Sequence, residues 1–433
     1  MTTVRGRRYS SRMIIRARIV VTMDGAPIEN GAVSISENRI GDVGSFDKVK
    51  TRNTGDTIDL GEQILLPGLI NAHCHLDYTS LRGKIWPQKS FTEWIRAINE
   101  QKTRLSPNDY IASINDGFAE AKRFGTTAIA NLTAFPELVS KVQPPIRTWW
   151  FPELLDIRTP ERANELVGAA IESLGTARPQ LARRDEGVLW GLAPHALFTA
   201  SKNVFRRCHE IAEQKHRLLT THLAESREEM EMFRDGSGPL YEFIKRIGRP
   251  MNDCGNETPL ERFLDLIDNS GSPNRQRTIE VNRSYRSWIV AHLNELIESD
   301  FDLLERLNSK FHIVHCPRSH NYFGHTPFAF DRLHLFGFNI CLGTDSLASN
   351  RTLSLFDEMR AFQKNSPRVR PEEILKMVTV NPACALRQEN ALGKIRGGAL
   401  ADLVAVPFNG GDLFEEIVAF AGEPWMMIDG RVQ

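Results

Sequence analysis

Residues 64–83 read ILLPGLINAHCHLDYTSLRG. An apolar, strand-like run is broken by Pro67 and Gly68, resumes at Leu69 and ends in His73 and His75. Side chains alternate across a strand, so residues two apart face the same way. Two imidazoles facing one direction at a strand end make half of a tetrahedral metal site. Two hydrogen-bonded polar residues in a buried turn would explain a lone His-x-His equally well. The rest of the chain decides between them.

Seven further apolar runs follow: TTAIANL from 126, RTWWFPELLD from 147, GVLWGLAPH from 187, HRLLTTHLAE from 216, SWIVAHLNEL from 287, FHIVHCP from 311 and NICLGTD from 339. Between most of them lie helical patterns such as NDYIASINDGFAEAKRFG and LSLFDEMRAFQ. Strand and helix alternating eight times predict an α/β fold of the (β/α)8, TIM-barrel type. The runs IIRARIVVTM, GAVSISENRI and TIDLGEQILL near the start share a β-branched texture with ADLVAVPF and EPWMMIDGRVQ near the end. They predict a small β-sandwich domain built from both termini, over 13–66 and 390–433, enclosing a barrel over 67–389. The basic segment before Met13, a candidate internal start, reads as a disordered extension over 1–12. The polar connection over 236–286 has weak periodicity and reads as an insertion over the barrel mouth.

Composition narrows the partners. Lys+Arg and Asp+Glu both count 54 in 433 residues, which gives no electrostatic case for nucleic acid or an anionic membrane. No apolar run approaches a membrane span. The six cysteines show no CxxC spacing, a pattern suited to free thiols in a cytoplasmic protein. The apolar surfaces of the barrel helices are compatible with a homodimer.

Barrels of this type carry their chemistry at the C-terminal ends of the strands. Those ends present His73 and His75, then His195, His222, His292, His315 and Asp345. Any one histidine is explained by core hydrogen bonding; imidazole at five strand ends with a carboxylate at a sixth is not. His73, His75, His222 and Asp345 offer three nitrogens and one oxygen, a set for one first-row divalent ion, Zn²⁺ first, with Fe²⁺ or Mn²⁺ as alternatives.

The ordered motifs PGLINAHCHL, APHALFTAS, THLAES, VAHLNEL, HCPRSH and LGTDSLASN, with the closing VNPACALRQENALGKIRGGALADLVAV, resemble the amidohydrolase superfamily over nearly the whole chain. Within it they look like the mononuclear deaminases of nucleosides and heterocycles. The resemblance implies that His73, His75, His222 and Asp345 hold the metal, that Glu225 and His292 move protons or orient water, and that His195 binds substrate. Binuclear relatives bridge two ions with a carboxylated lysine at the fourth strand, whereas GVLWGLAPH has none, so one ion is expected. The implied reaction is deamination of an aminated N-heterocycle, with loss of ammonia from an adenosine-type nucleoside.

The substrate end departs from the pattern. The S-adenosylhomocysteine and methylthioadenosine deaminases hold the ribose hydroxyls with an acidic residue after the first helix. Ungapped placement puts Lys102 there, with Glu100 nearby. The seventh-strand motif carries Arg318 and His320 where an asparagine after the serine is usual. HLDYTSLRGKI and FTEWI look closer to aminofutalosine deaminases, whose substrate bears an acidic extension. Arg82, Arg318 and His320 are therefore candidates for substrate binding, with structural ion pairs the competing explanation for both arginines. Imidazolonepropionase-like ring opening, triazine chlorohydrolase-like chemistry and an inactive metal-binding homologue are the alternative functions.

Overall fold

A computed structural model of the chain describes residues 12–176, 189–268 and 283–433. Its centre is an eight-stranded parallel sheet: β6 (Leu69–Cys74), β7 (Thr126–Thr133), β8 (Arg147–Leu154), β9 (Leu189–Pro194), β10 (Leu218–Leu223), β11 (Trp288–His292), β12 (His312–His315) and β13 (Asn339–Leu342). The strands pair in sequence order. β7 and β8 are buried at every position, because one face lines the barrel and the other lies under helices. Just past the strands, the amides of Thr344 and Asp345 both donate to the His73 carbonyl, so the end of β13 returns to β6 and the ring closes. Gly343 permits this approach: a Cβ there would lie 2.7 Å from the His73 carbonyl oxygen. The eightfold alternation read from the sequence is therefore a (β/α)8 barrel.

The second sheet unites the chain ends. It comprises β1 (Arg12–Val20), β2 (Ile28–Ser36), β3 (Arg39–Ser45), β4 (Asp56–Asp59), β5 (Gln63–Pro67), β14 (Leu403–Pro407), β15 (Trp425–Ile428) and β16 (Arg431–Val432). The hydrogen-bonded order is β16-β15-β14-β5-β1-β2-β3, with β4 against β1. β14 pairs antiparallel with β5 from Leu403↔Pro67 to Pro407↔Gln63, so both termini meet in one continuous sheet. Arg147, the first residue of β8, joins it to the barrel: its guanidinium lies 3.6 Å from carboxylates of both Asp402 and Asp429. Of the expected extension over 1–12, only Arg12 falls within the described residues, and it opens β1.

The connection over 236–286 differs from its expected form. It contains the helices Gly238–Arg246 and Pro259–Asp268. Phe263 of the second packs edge-on against Trp288 of β11, with ring centroids 5.2 Å apart, and also contacts Phe311. That helix is part of the barrel wall and not a cover over the mouth. PLERFLDLID carries its apolar residues at helical spacing, and the polar residues around it dilute the signal. Residues 269–282 of the weakly periodic tract lie outside the described part.

Candidate metal centre and catalytic pocket

His73 is the last residue but one of β6 and His75 follows the strand directly, so both imidazoles meet at the strand's C-terminal end. Their Nε2 atoms are 3.2 Å apart, and the Nε2 of His75 is also 3.2 Å from that of His222, at the end of β10. His222 Nδ1 donates to the His195 carbonyl at 2.9 Å, which leaves Nε2 as the unprotonated nitrogen facing the cluster. Asp345 brings Oδ1 to 3.6 Å from His75 Nε2 and 3.9 Å from His73 Nε2. Its carboxylate is held in place by the Ser346 amide at 2.7 Å and the Ser319 hydroxyl at 2.6 Å.

This set fits one tetrahedral ion. Ligand distances of about 2.0–2.2 Å imply ligand–ligand separations of about 3.3–3.6 Å. The separations here, 3.2 to 3.9 Å, span that range. Facing Nε2 lone pairs repel unless an ion or proton lies between them. Burial, reinforced by the neighbouring imidazoles, pushes the His73 and His75 pKa values well below the usual range, so protons are disfavoured. Desolvation also lowers that of His222. Glu153, His195 and His222 likewise bring one ligand atom each within 4.8 Å of one another. His222 has one nitrogen to give, however, and it faces His75.

Beside the cluster, Ala224 adopts a left-handed φ of 49° and turns the chain so that Glu225 is buried. Its Oε1 lies 3.7 Å from His292 Nε2. His292, also left-handed at φ 75°, sets its ring 5.3 Å from that of His222 and 5.5 Å from that of His73. With Leu293 and Asp345, four non-glycine residues at strand ends share this strained region, which concentrates at functional sites. Burial raises the Glu225 carboxyl well above its ordinary value, and the Asp345 and Glu229 carboxylates add to the shift. A carboxyl so placed can carry a proton at neutral pH.

Glu225 is therefore not one of a row of solvated carboxylates. Glu228, three residues on, accepts from the amides of Phe91 and Thr92 at 2.7 and 3.0 Å, capping the helix Phe91–Lys102. Glu229 accepts from the Glu225 amide.

His195 holds Thr199 through Nδ1 at 2.7 Å and places Nε2 3.6 Å from Glu153 Oε1. Its side chain remains a quarter exposed, on the open side of the site. Glu153, near the end of β8, also lies 3.5 Å from His75 Nδ1, so one carboxylate links a metal-facing histidine to a pocket-facing one. Burial pushes it up to about 7. Sequence reasoning passed over it, although RTWWFPELLD places an acid where the other strands place histidines.

The remaining candidates lie elsewhere. Arg82 is ion-paired with Glu120, and Arg318 with Asp357 at 2.7 Å, so each guanidinium is committed to a structural carboxylate. Both arginines thus make the structural ion pairs that the sequence offered as the competing explanation. His315 stacks on Phe328 at 4.1 Å, and His320 bonds Asn294 through Nδ1 at 3.1 Å. Both lie outside the Nε2 cluster. Glu100 is exposed and paired with Arg104, whereas Lys102 sets its ammonium 4.5 Å over the Tyr78 ring.

A (β/α)8 barrel with three imidazoles and a carboxylate converging at its strand ends, beside a buried acid, is the arrangement of a metal-dependent hydrolase. Residues 64–424 match the amidohydrolase family, and the chain belongs to it. It is 29% identical over 406 residues to the 5-methylthioadenosine/S-adenosylhomocysteine deaminase of Pyrococcus furiosus, covering 91% of this chain and 86% of the relative. Its fold matches Helicobacter pylori aminofutalosine deaminase in complex with methylthio-coformycin, with TM-score 0.80, 21% identity, and 97% and 100% of the two chains covered. It also matches a zinc-bound adenosine deaminase from Xanthomonas campestris, with TM-score 0.77, 22% identity, and 97% and 92% covered. No helix among the described residues is long and apolar enough to cross a membrane.

Proposed function

We propose that the protein is a mononuclear, metal-dependent deaminase that removes the amino group of an adenosine-type nucleoside as ammonia. One observation carries the reading: the buried Glu225–His292 pair beside the converging Nε2 atoms of His73, His75 and His222. It sets a proton carrier next to a site suited to activating water. A divalent ion held by these three histidines and Asp345 would supply hydroxide near neutral pH, since bound water falls to a pKa of about 7.

The chain's own groups account for the rest. Glu225 gives its proton to the ring nitrogen beside the amino-bearing carbon as that carbon becomes tetrahedral. His292 holds the developing oxyanion by a charge-assisted hydrogen bond. Asp345 accepts the proton released by the attacking water and passes it to the departing ammonia. His195, on the open side, hydrogen-bonds the heterocycle or its sugar. The named relatives support a purine nucleoside, and the absence of a lysine in GVLWGLAPH supports a single ion. A cytoplasmic location and a homodimer belong to the same proposal.

An ammonia-coupled assay of zinc-loaded protein tests it, using adenosine, methylthioadenosine, S-adenosylhomocysteine and aminofutalosine beside aminated pterins and chlorotriazines. Ammonia from one or more 6-aminopurine nucleosides is expected. Chloride release from a triazine, or ring opening without ammonia, would instead favour another branch of the family. Silence across the panel at full metal loading would point to an inactive homologue.

A further inference from the structure

Near His75 and His195 lie two hydrogen-bond donors that find no partner among the described residues. Tyr78 is buried, its ring stacked 6.1 Å from that of His75, and its hydroxyl has no hydrogen-bond partner among the described residues. Lys102 lies in the last turn of the helix Phe91–Lys102 and folds its ammonium back over the Tyr78 ring, 4.5 Å from the centroid. Its backbone is fixed there, since the Lys102 carbonyl accepts from the Tyr110 hydroxyl and the Leu105 amide. The ammonium has no hydrogen bond or ion pair among the described residues.

The acids nearby are already engaged. Asp77 accepts from the Ala134 amide at 2.7 Å and from Thr133, and Glu153 lies between His75 and His195. The other cations considered for the substrate, Arg82 and Arg318, are paired with Glu120 and Asp357. A desolvated ammonium beside an orphaned phenol is costly unless a ligand supplies acceptor oxygens. A neutral sugar hydroxyl would satisfy one donor weakly, while a carboxylate can answer both with charge-assisted bonds.

We propose that Lys102, with the Tyr78 hydroxyl, binds a carboxylate on the substrate, on the part remote from the amino-bearing carbon. Lys102 thereby selects acidic nucleosides over neutral ones. The inference rests on the nucleoside deaminase reading above and narrows its substrate class. The competing role for Lys102 is to balance the charge of Asp77 and Glu153, which would affect all substrates alike.

The test compares two substrates that differ only in that charge, aminofutalosine and its methyl ester, on zinc-loaded wild type, Lys102→Gln and Lys102→Arg. Wild type is expected to favour the acid by tenfold or more in kcat/KM. Lys102→Gln should lose about 10–100-fold on the acid and stay within a few-fold on the ester, the loss of a hydrogen bond to a charged group. Lys102→Arg should restore most of the preference, and its activity separates a binding defect from a folding one. Equal losses on acid and ester, or a wild type that does not distinguish them, overturn the role of Lys102 and leave the deaminase reading standing. Turnover of neither by wild type, with ammonia released from a different heterocycle, overturns the nucleoside reading and this inference with it.

Discussion

Glu225→Gln is expected to keep its metal and lose deamination by about 10²–10⁴-fold, the usual worth of general acid–base catalysis. Glutamine preserves the size of the side chain and most of its hydrogen bonding. The ligand set of His73, His75, His222 and Asp345 is therefore undisturbed. What disappears is a group that both donates and accepts a proton, 3.7 Å from His292 Nε2. Glu228→Gln is the informative comparison. Glu228 holds the amides of Phe91 and Thr92, and its amide counterpart can still accept one of those bonds. It is expected to shift helix Phe91–Lys102 slightly and to cost far less turnover. Turnover and bound metal measured side by side on both variants decide the matter. Near wild-type turnover by Glu225→Gln would remove Glu225 from the mechanism.

Asp345→Asn should fail differently, losing activity at least as severely and metal as well. Its Oδ1 lies with the His73 and His75 nitrogens, and its Oδ2 accepts from Ser319. An amide in its place is a weaker ligand for a hard-to-borderline divalent ion and cannot carry the second proton. Elemental analysis after dialysis is expected to show substoichiometric metal, with turnover only partly recovered in excess zinc. Full recovery at saturating zinc would mean that Asp345 is a ligand only, with proton transfer belonging to another group.

Both expectations concern residues already visible in the sequence, and the reason is geometric. The apolar runs carry a polar residue at or near their ends, and parallel strands in a barrel bring all such ends to one face. His73, His75, His222, His292 and Asp345 needed only their place in a run to be found together. Glu153 obeys the same rule but sits between Pro152 and Leu154, in a run with no histidine to draw attention to it. The partners of the two arginines were not legible for another reason. Arg82 meets Glu120 across 38 positions and Arg318 meets Asp357 across 39, pairings set by helix packing that no local pattern records. The role of Glu228 was hidden likewise, since the amides it caps are 136 and 137 positions away. In the connection over 236–286, the helix containing Phe263 was masked by its polar flanks until Trp288 and Phe311 gave its apolar face a partner.

The position of the metal decides most directly how these residues divide their roles. Anomalous diffraction at the zinc edge, from crystals of the zinc-loaded protein, reads that position without reference to any substrate. One peak per chain is predicted, about 2.0–2.2 Å from the Nε2 atoms of His73, His75 and His222 and from an Asp345 oxygen. Two peaks bridged within the barrel mouth, or a single peak held by Glu153 and His195 instead, would contradict it.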